Sequence, residues 1–250
     1  MSEKVHRIGL LVPSSDGVTE ADFKNLLPRD VSFHTGRLYH SDSTPRGVQT
    51  LDEIVSQTEA AIRTIVQVDP ELIVFACTSG SFYKGLGWDR QIGKRIRAAA
   101  GVPAVVTTTA VTEALRTLGA KRIYMITPYT EDINKTELKF FDDSGIEVTG
   151  YTHFVCAKSK EISDILPAQI IERVLSVRHD ILGCDALLIS CTGLRGADTV
   201  ARLERELGMP VVTSNAATVW ATLRALGLPT ADIPGGRIFA IAASPASMVA

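Results

Sequence analysis

The chain is short of the features that mark several large functional classes. Aromatic residues make up 6% of its 250 residues, and 26 Lys and Arg nearly balance 28 Asp and Glu, a formal net charge of −2. With no basic stripe interleaved with aromatics, it lacks the electrostatic footprint of a nucleic-acid binder. The one early apolar run, residues 8–12, is far too short for a signal h-region or a membrane span. No membrane association is expected, and a cytoplasmic location is the default. Neither a GxGxxG nor a Walker A pattern occurs, so nucleotide binding has no support. Cysteines number four, Cys77, Cys156, Cys184 and Cys191, with no CxxC and no Cys/His zinc spacing. That excludes a recognisable metal site or disulfide framework and leaves four thiols.

What is present is alternation. Short runs rich in Val, Ile and Leu at residues 7–12, 31–36, 72–76, 104–107, 122–126, 148–151, 186–190 and 210–213 read as strands buried on both faces. Stretches with helical spacing lie between them, at 51–68, 88–99, 109–118, 132–143, 168–181, 196–207 and 216–226, with Gly119, Gly208 and Gly227 as stops. The expectation is an α/β fold of parallel sheets flanked by helices.

The chain also repeats itself. Arg7-Ile8-Gly9-Leu10-Leu11-Val12-Pro13 resembles Arg122-Ile123-Tyr124-Met125-Ile126-Thr127-Pro128, and residues 71–78 resemble residues 185–192 at nearly the same spacing. Gly101-Val102-Pro103 is matched by Gly208-Met209-Pro210. These matches predict two pseudo-symmetric lobes with the active site in the cleft between them. Residues 1–115 would form the first, completed by 216–250, and residues 116–215 the second, a duplication of the first. Ligands of open α/β sheets sit at the carboxyl ends of strands. Cys77 and Cys191 both end strands, so the repeat predicts two thiols on opposite walls.

Each cysteine leads into small hydroxyl-bearing residues, Cys77-Thr78-Ser79-Gly80-Ser81 and Cys191-Thr192-Gly193. Such turns offer backbone N–H groups and hydroxyls to an anion, and a nearby thiolate can act as base or nucleophile. Either cysteine alone reads as a structural residue; their recurrence before Thr at matched positions turns the reading to catalysis. Cys156 and Cys184 have no such neighbours and read as structural. Ser14, Ser15 and Asp16 form a polar turn after the first strand, where Asp16 serves equally well as a helix cap. Tyr129, at the matched position of the second half, could donate to a substrate oxygen, and Thr44 lies in a turn that could form a rim. The five histidines fall near none of the paired motifs.

At these residues the chain resembles the aspartate/glutamate racemase superfamily, in the branch of arylmalonate decarboxylase, maleate cis-trans isomerase and an ectoine-utilisation protein. The resemblance runs along essentially the whole chain. It is carried by residues 9–13, Ser43-Thr44-Pro45, Thr78-Ser79 with Ser81-Phe82-Tyr83, Tyr129 with Asp132 and Asn134, Ser190-Cys191 and residues 210–214. It implies a cofactor-independent isomerase or racemase of a small carboxylate or dicarboxylate. Cys77 would be base or nucleophile, Cys191 the acid, and Thr78, Ser79, Tyr129 and Thr192 would hold negative oxygen. Two alternatives stand beside it: decarboxylation of a malonate with Cys191 as proton donor, and a non-catalytic carboxylate-binding protein. The decarboxylase carries glycine in place of Cys77, and the isomerases carry Asn in place of Asp16. A homo-oligomer is compatible with the resemblance.

Overall fold

The computed structural model describes residues 5–41, 47–156 and 158–241. Two four-stranded sheets organise it. In the first, β1 (His6–Pro13), β2 (Val31–Leu38), β3 (Leu72–Phe75) and β4 (Ala104–Val106) lie in the order β2-β1-β3-β4. The second repeats that order as β6-β5-β7-β8, with β5 (Arg122–Thr127), β6 (Glu147–His153), β7 (Ala186–Ile189) and β8 (Val211–Thr213). Every pairing is parallel. β3 and β7 are buried along their whole length, as continuous apolar runs in a covered parallel sheet must be, while β2 and β6 are partly exposed edges.

Helices fill the crossovers: α1 (Thr19–Leu26), α2 (Val48–Ser56), α3 (Thr58–Ile65), α4 (Thr78–Phe82), α5 (Trp88–Ala100), α6 (Thr107–Thr117), α7 (Glu131–Asp143), α8 (Lys160–Ser163), α9 (Pro167–Ser176), α10 (Arg178–Ile181), α11 (Val200–Leu207) and α12 (Ser214–Ala225). The single helix expected over 51–68 is two, α2 and α3, broken at Gln57 and followed by a short 3₁₀ turn. The stretch 168–181 divides likewise into α9 and α10. Gly119, Gly208 and Gly227 all stand at φ of 71–73°, the left-handed conformation in which glycine ends a helix without a Cβ penalty.

α6 and α12 follow the last strand of each half and pack against one another. Thr107 begins α6, and Thr218 of α12 donates its hydroxyl to it at 3.1 Å. From Ser214 to Leu223, α12 is buried at every position, because it also packs on α1, β4 and β8. A helix hidden all round needs small or apolar residues throughout, and Ser-Asn-Ala-Ala-Thr-Val-Trp-Ala-Thr-Leu supplies them.

Candidate active site

Strand order explains where the site falls. In an order 2-1-3-4 the chain leaves the first strand to one side and the third to the other, so the crevice opens at the carboxyl ends of strands one and three. In the first half those ends carry residues 13–16 and Cys77–Ser79; in the second they carry Tyr129 and Cys191–Gly193. One cavity of about 50 Å3, counted as the space open to water centres, lies where the two crevices meet. Its lining includes Ser15, Asp16, Cys77, Thr78, Ser79, Cys191 and Thr192. Leu51 and Ile54 from α2, Ile133 from α7 and Ile162 from α8 add an apolar wall.

The two thiols sit differently. Cys77 is buried, 4% exposed, and desolvation pushes its pKa up to about 12, with smaller upward contributions from Cys191 and Asp16. The Gly80 backbone N–H and the Ser79 hydroxyl hydrogen-bond to its sulfur and pull the other way. Gly80 comes this close because it has no side chain: a Cβ there would stand 2.9 Å from the Cys77 sulfur. Cys191 is half-buried and has φ of +133°, a conformation that costs a non-glycine residue of order 1–3 kcal/mol. Such strain persists only where the surroundings impose it. Here the Cys191 N–H donates to Ser214 Oγ at 3.0 Å, and its carbonyl accepts from the Leu194 N–H.

Hydroxyls bind the halves to each other. Thr78 donates to Ser214 Oγ at 2.9 Å, so Ser214 ties the first cysteine turn to the second. In return Thr192 donates to the Ala76 carbonyl at 3.4 Å. Asn215 donates to the Thr192 carbonyl at 2.8 Å and to Asp22 at 2.7 Å, and burial raises the Asp22 pKa to about 7. Thr78 and Thr192 both line the cavity, as the cysteine turns predicted, and their hydroxyls donate to Ser214 and to the Ala76 carbonyl. Ser79 and Ser15 remain on the wall, with Ser15 Oγ 2.8 Å from His40 Nε2.

The other predicted residues divide. Asp16 both lines the cavity and caps α1, taking the Val18 and Thr19 N–H groups at 2.8 and 2.9 Å and the Thr19 hydroxyl at 2.6 Å. Ser14 lies behind Ser15, its hydroxyl accepting from the His40 N–H. Tyr129 is fully buried, with its ring edge-on to Phe82 at 6.0 Å, and is not part of the cavity wall. The turn after β5 is closed by Asn134, which bonds Thr127 and the Tyr129 carbonyl. Thr44 lies outside the described residues. Cys156 and Cys184 stand away from the lining. His40, set aside in the sequence, belongs beside the site; its signal was its place at the end of β2, next to β1. Among the described residues no group of three or more His, Cys, Asp or Glu is placed to hold a metal, and no helix is long and apolar enough to cross a membrane.

The chain has relatives along nearly its whole length. The family model for arylmalonate decarboxylase matches residues 8–239. Arylmalonate decarboxylase of Bordetella bronchiseptica is 29% identical over 233 residues, covering 93% of this chain and 95% of its own. Maleate isomerase of Nocardia farcinica is 30% identical over 244 residues, covering 94% and 95%. A solved structure of the Nocardia farcinica maleate cis-trans isomerase, a cysteine-to-serine mutant with a covalently bound succinylcysteine intermediate, superposes with a TM-score of 0.84. It is 26% identical and covers 94% of this chain and 98% of its own. The chain is an enzyme of the aspartate/glutamate racemase superfamily and belongs to its arylmalonate decarboxylase family.

Proposed function

We propose that this enzyme isomerises or racemises a small carboxylate without a cofactor, using Cys77 and Cys191 as opposed thiols. The observation that supports the reading most is the pair itself, one cysteine from the end of β3 and one just beyond β7, both on one cavity. One thiol of the pair must be ionised. Burial opposes ionisation of Cys77, so that thiol is protonated in the resting site and turnover rises toward alkaline pH. In a proton exchange, the thiolate takes hydrogen from carbon on one face and the opposite thiol returns one to the other face; the pair ends with its proton moved across. In addition–rotation, Cys77 loses its proton to solvent and its thiolate bonds to one carbon of a conjugated double bond while the Cys191 thiol protonates the other. The new single bond turns, the Cys191 thiolate takes that proton back, and the re-formed double bond expels the Cys77 thiolate. A cytoplasmic setting, which keeps thiols reduced, suits either course.

One observation favours a second reading, decarboxylation of a substituted malonate with Cys191 as proton donor. The wall of Leu51, Ile54, Ile133 and Ile162 suits an apolar substituent on the malonate carbon. Incubation in D2O with maleate, the enantiomers of aspartate and glutamate, and phenylmalonate separates the readings. Deuterium at the α-carbon of recovered amino acid, or fumarate from maleate, is expected. CO2 release from phenylmalonate alone would transfer the assignment to the second reading.

A further inference from the structure

Glu137 lies on α7 among Ile133, Phe140 and Phe141, fully buried, with no ion-pair partner among the described residues. Its Oε1 accepts the Ser190 hydroxyl at 2.5 Å, and its Oε2 is buried with no hydrogen-bond partner. A bare carboxylate in such surroundings is costly, and burial raises the Glu137 pKa to about 8, so the group is neutral at pH 7. Its shift traces to desolvation and the Ser190 bond alone. The titratable groups on the elements around it are otherwise engaged or distant. α4 carries none; His153 on β6 is taken up with Asn134 and the Tyr129 carbonyl, and Tyr151 with Glu131. Arg122 and Glu147 pair at the exposed far end of the sheet, and Tyr124 packs in the outer cluster.

Ser190 is the residue before Cys191. On its strand side its N–H continues the ladder to Ile126. Its side chain is pinned to Glu137, and the next peptide is pinned by Ser214. Between those two anchors the chain adopts the strained φ of Cys191. We propose that Glu137 is the positioning residue of the second thiol: through Ser190 it holds the strained turn that aims Cys191 into the cavity. The inference rests on the reading of Cys191 as a working thiol. Ionisation of Glu137 would put an unpartnered charge in the core, draw in water and loosen the turn.

Iodoacetamide labelling, with Cys191 and Cys77 resolved by peptide mass spectrometry, tests this without a substrate. Ser190→Ala should speed labelling of Cys191 about tenfold, the factor for one lost hydrogen bond, and leave Cys77 near its wild-type rate. Glu137→Gln keeps an acceptor for Ser190 and should label like wild type at about pH 6. By about pH 9 wild-type Cys191 should label faster than Cys191 in the Gln variant, because only the wild type carries the new charge. If Ser190→Ala fails to fold, the pH comparison with Glu137→Gln decides alone. Cys191 labelling unchanged in the variants at every pH, or Cys77 changing in step with it, would overturn the proposal. Either result leaves the thiol chemistry standing, since that is tested separately by turnover in Cys77→Ala and Cys191→Ala.

Discussion

Glu137 carries a consequence for stability as well as for the turn. Its folded pKa of about 8 lies above its ordinary value of 4.5. Between those values the folded protein holds a proton that the unfolded chain has released, so stability falls as pH rises through that window and levels off above it. The penalty reaches roughly 3 kcal/mol at pH 7. Glu137→Gln removes the titration, so its melting temperature should gain on wild type steadily from about pH 5 to pH 8. Thermal unfolding followed by circular dichroism checks this; a gap that does not change with pH would mean Glu137 is not a buried acid. The residue was not singled out in the sequence, although it interrupts an apolar helix face, 133-137-140-141, and nothing there named Ser190 as its partner. Asp16 is the reverse case: its two readings, cap and cavity residue, both hold, since one carboxylate can line a wall and close a helix.

Between elements, the strand ends are joined chiefly through the start of α12. Ser214 accepts from Cys191 and Thr78 at once and is fully buried. Ser214→Ala would leave two buried donors unsatisfied, at about 1–3 kcal/mol each. The melting temperature should drop by several degrees, and turnover should fall at least about tenfold because both thiol turns lose an anchor. Loss of stability with full turnover would show that the bridge does not position the thiols. The central strands β3 and β7 were legible because buried parallel strands are continuous apolar runs. α4 was read as a loop, since Thr-Ser-Gly-Ser has weak helix propensity; it is held by the Ser81 hydroxyl bonding back to the Thr78 carbonyl and by Trp88 bonding the Gly80 carbonyl. The break at Gln57 has neither Gly nor Pro to announce it. Tyr129 reads in the sequence as a donor to substrate; the structure packs its ring on Phe82, and Asn134 closes the turn beside it.

At the scale of the molecule, two sheets of identical strand order meet through α6 and α12, and the turn-bearing ends of both open on one cavity. That placement followed from the repeat in the sequence together with the strand-end rule. The reaction did not follow, because the residues that shape the wall, Leu51, Ile54, Ile133 and Ile162, come from helices whose approach no local pattern encodes. The central claim is that both thiols act on one substrate. Its most direct test is turnover by Cys77→Ala and Cys191→Ala, each confirmed folded, on whichever compound of the D2O panel the wild type converts. The account predicts a loss of about a thousandfold or more in each variant, the scale of removing a proton-transfer group or nucleophile. Wild-type turnover in either one would contradict it.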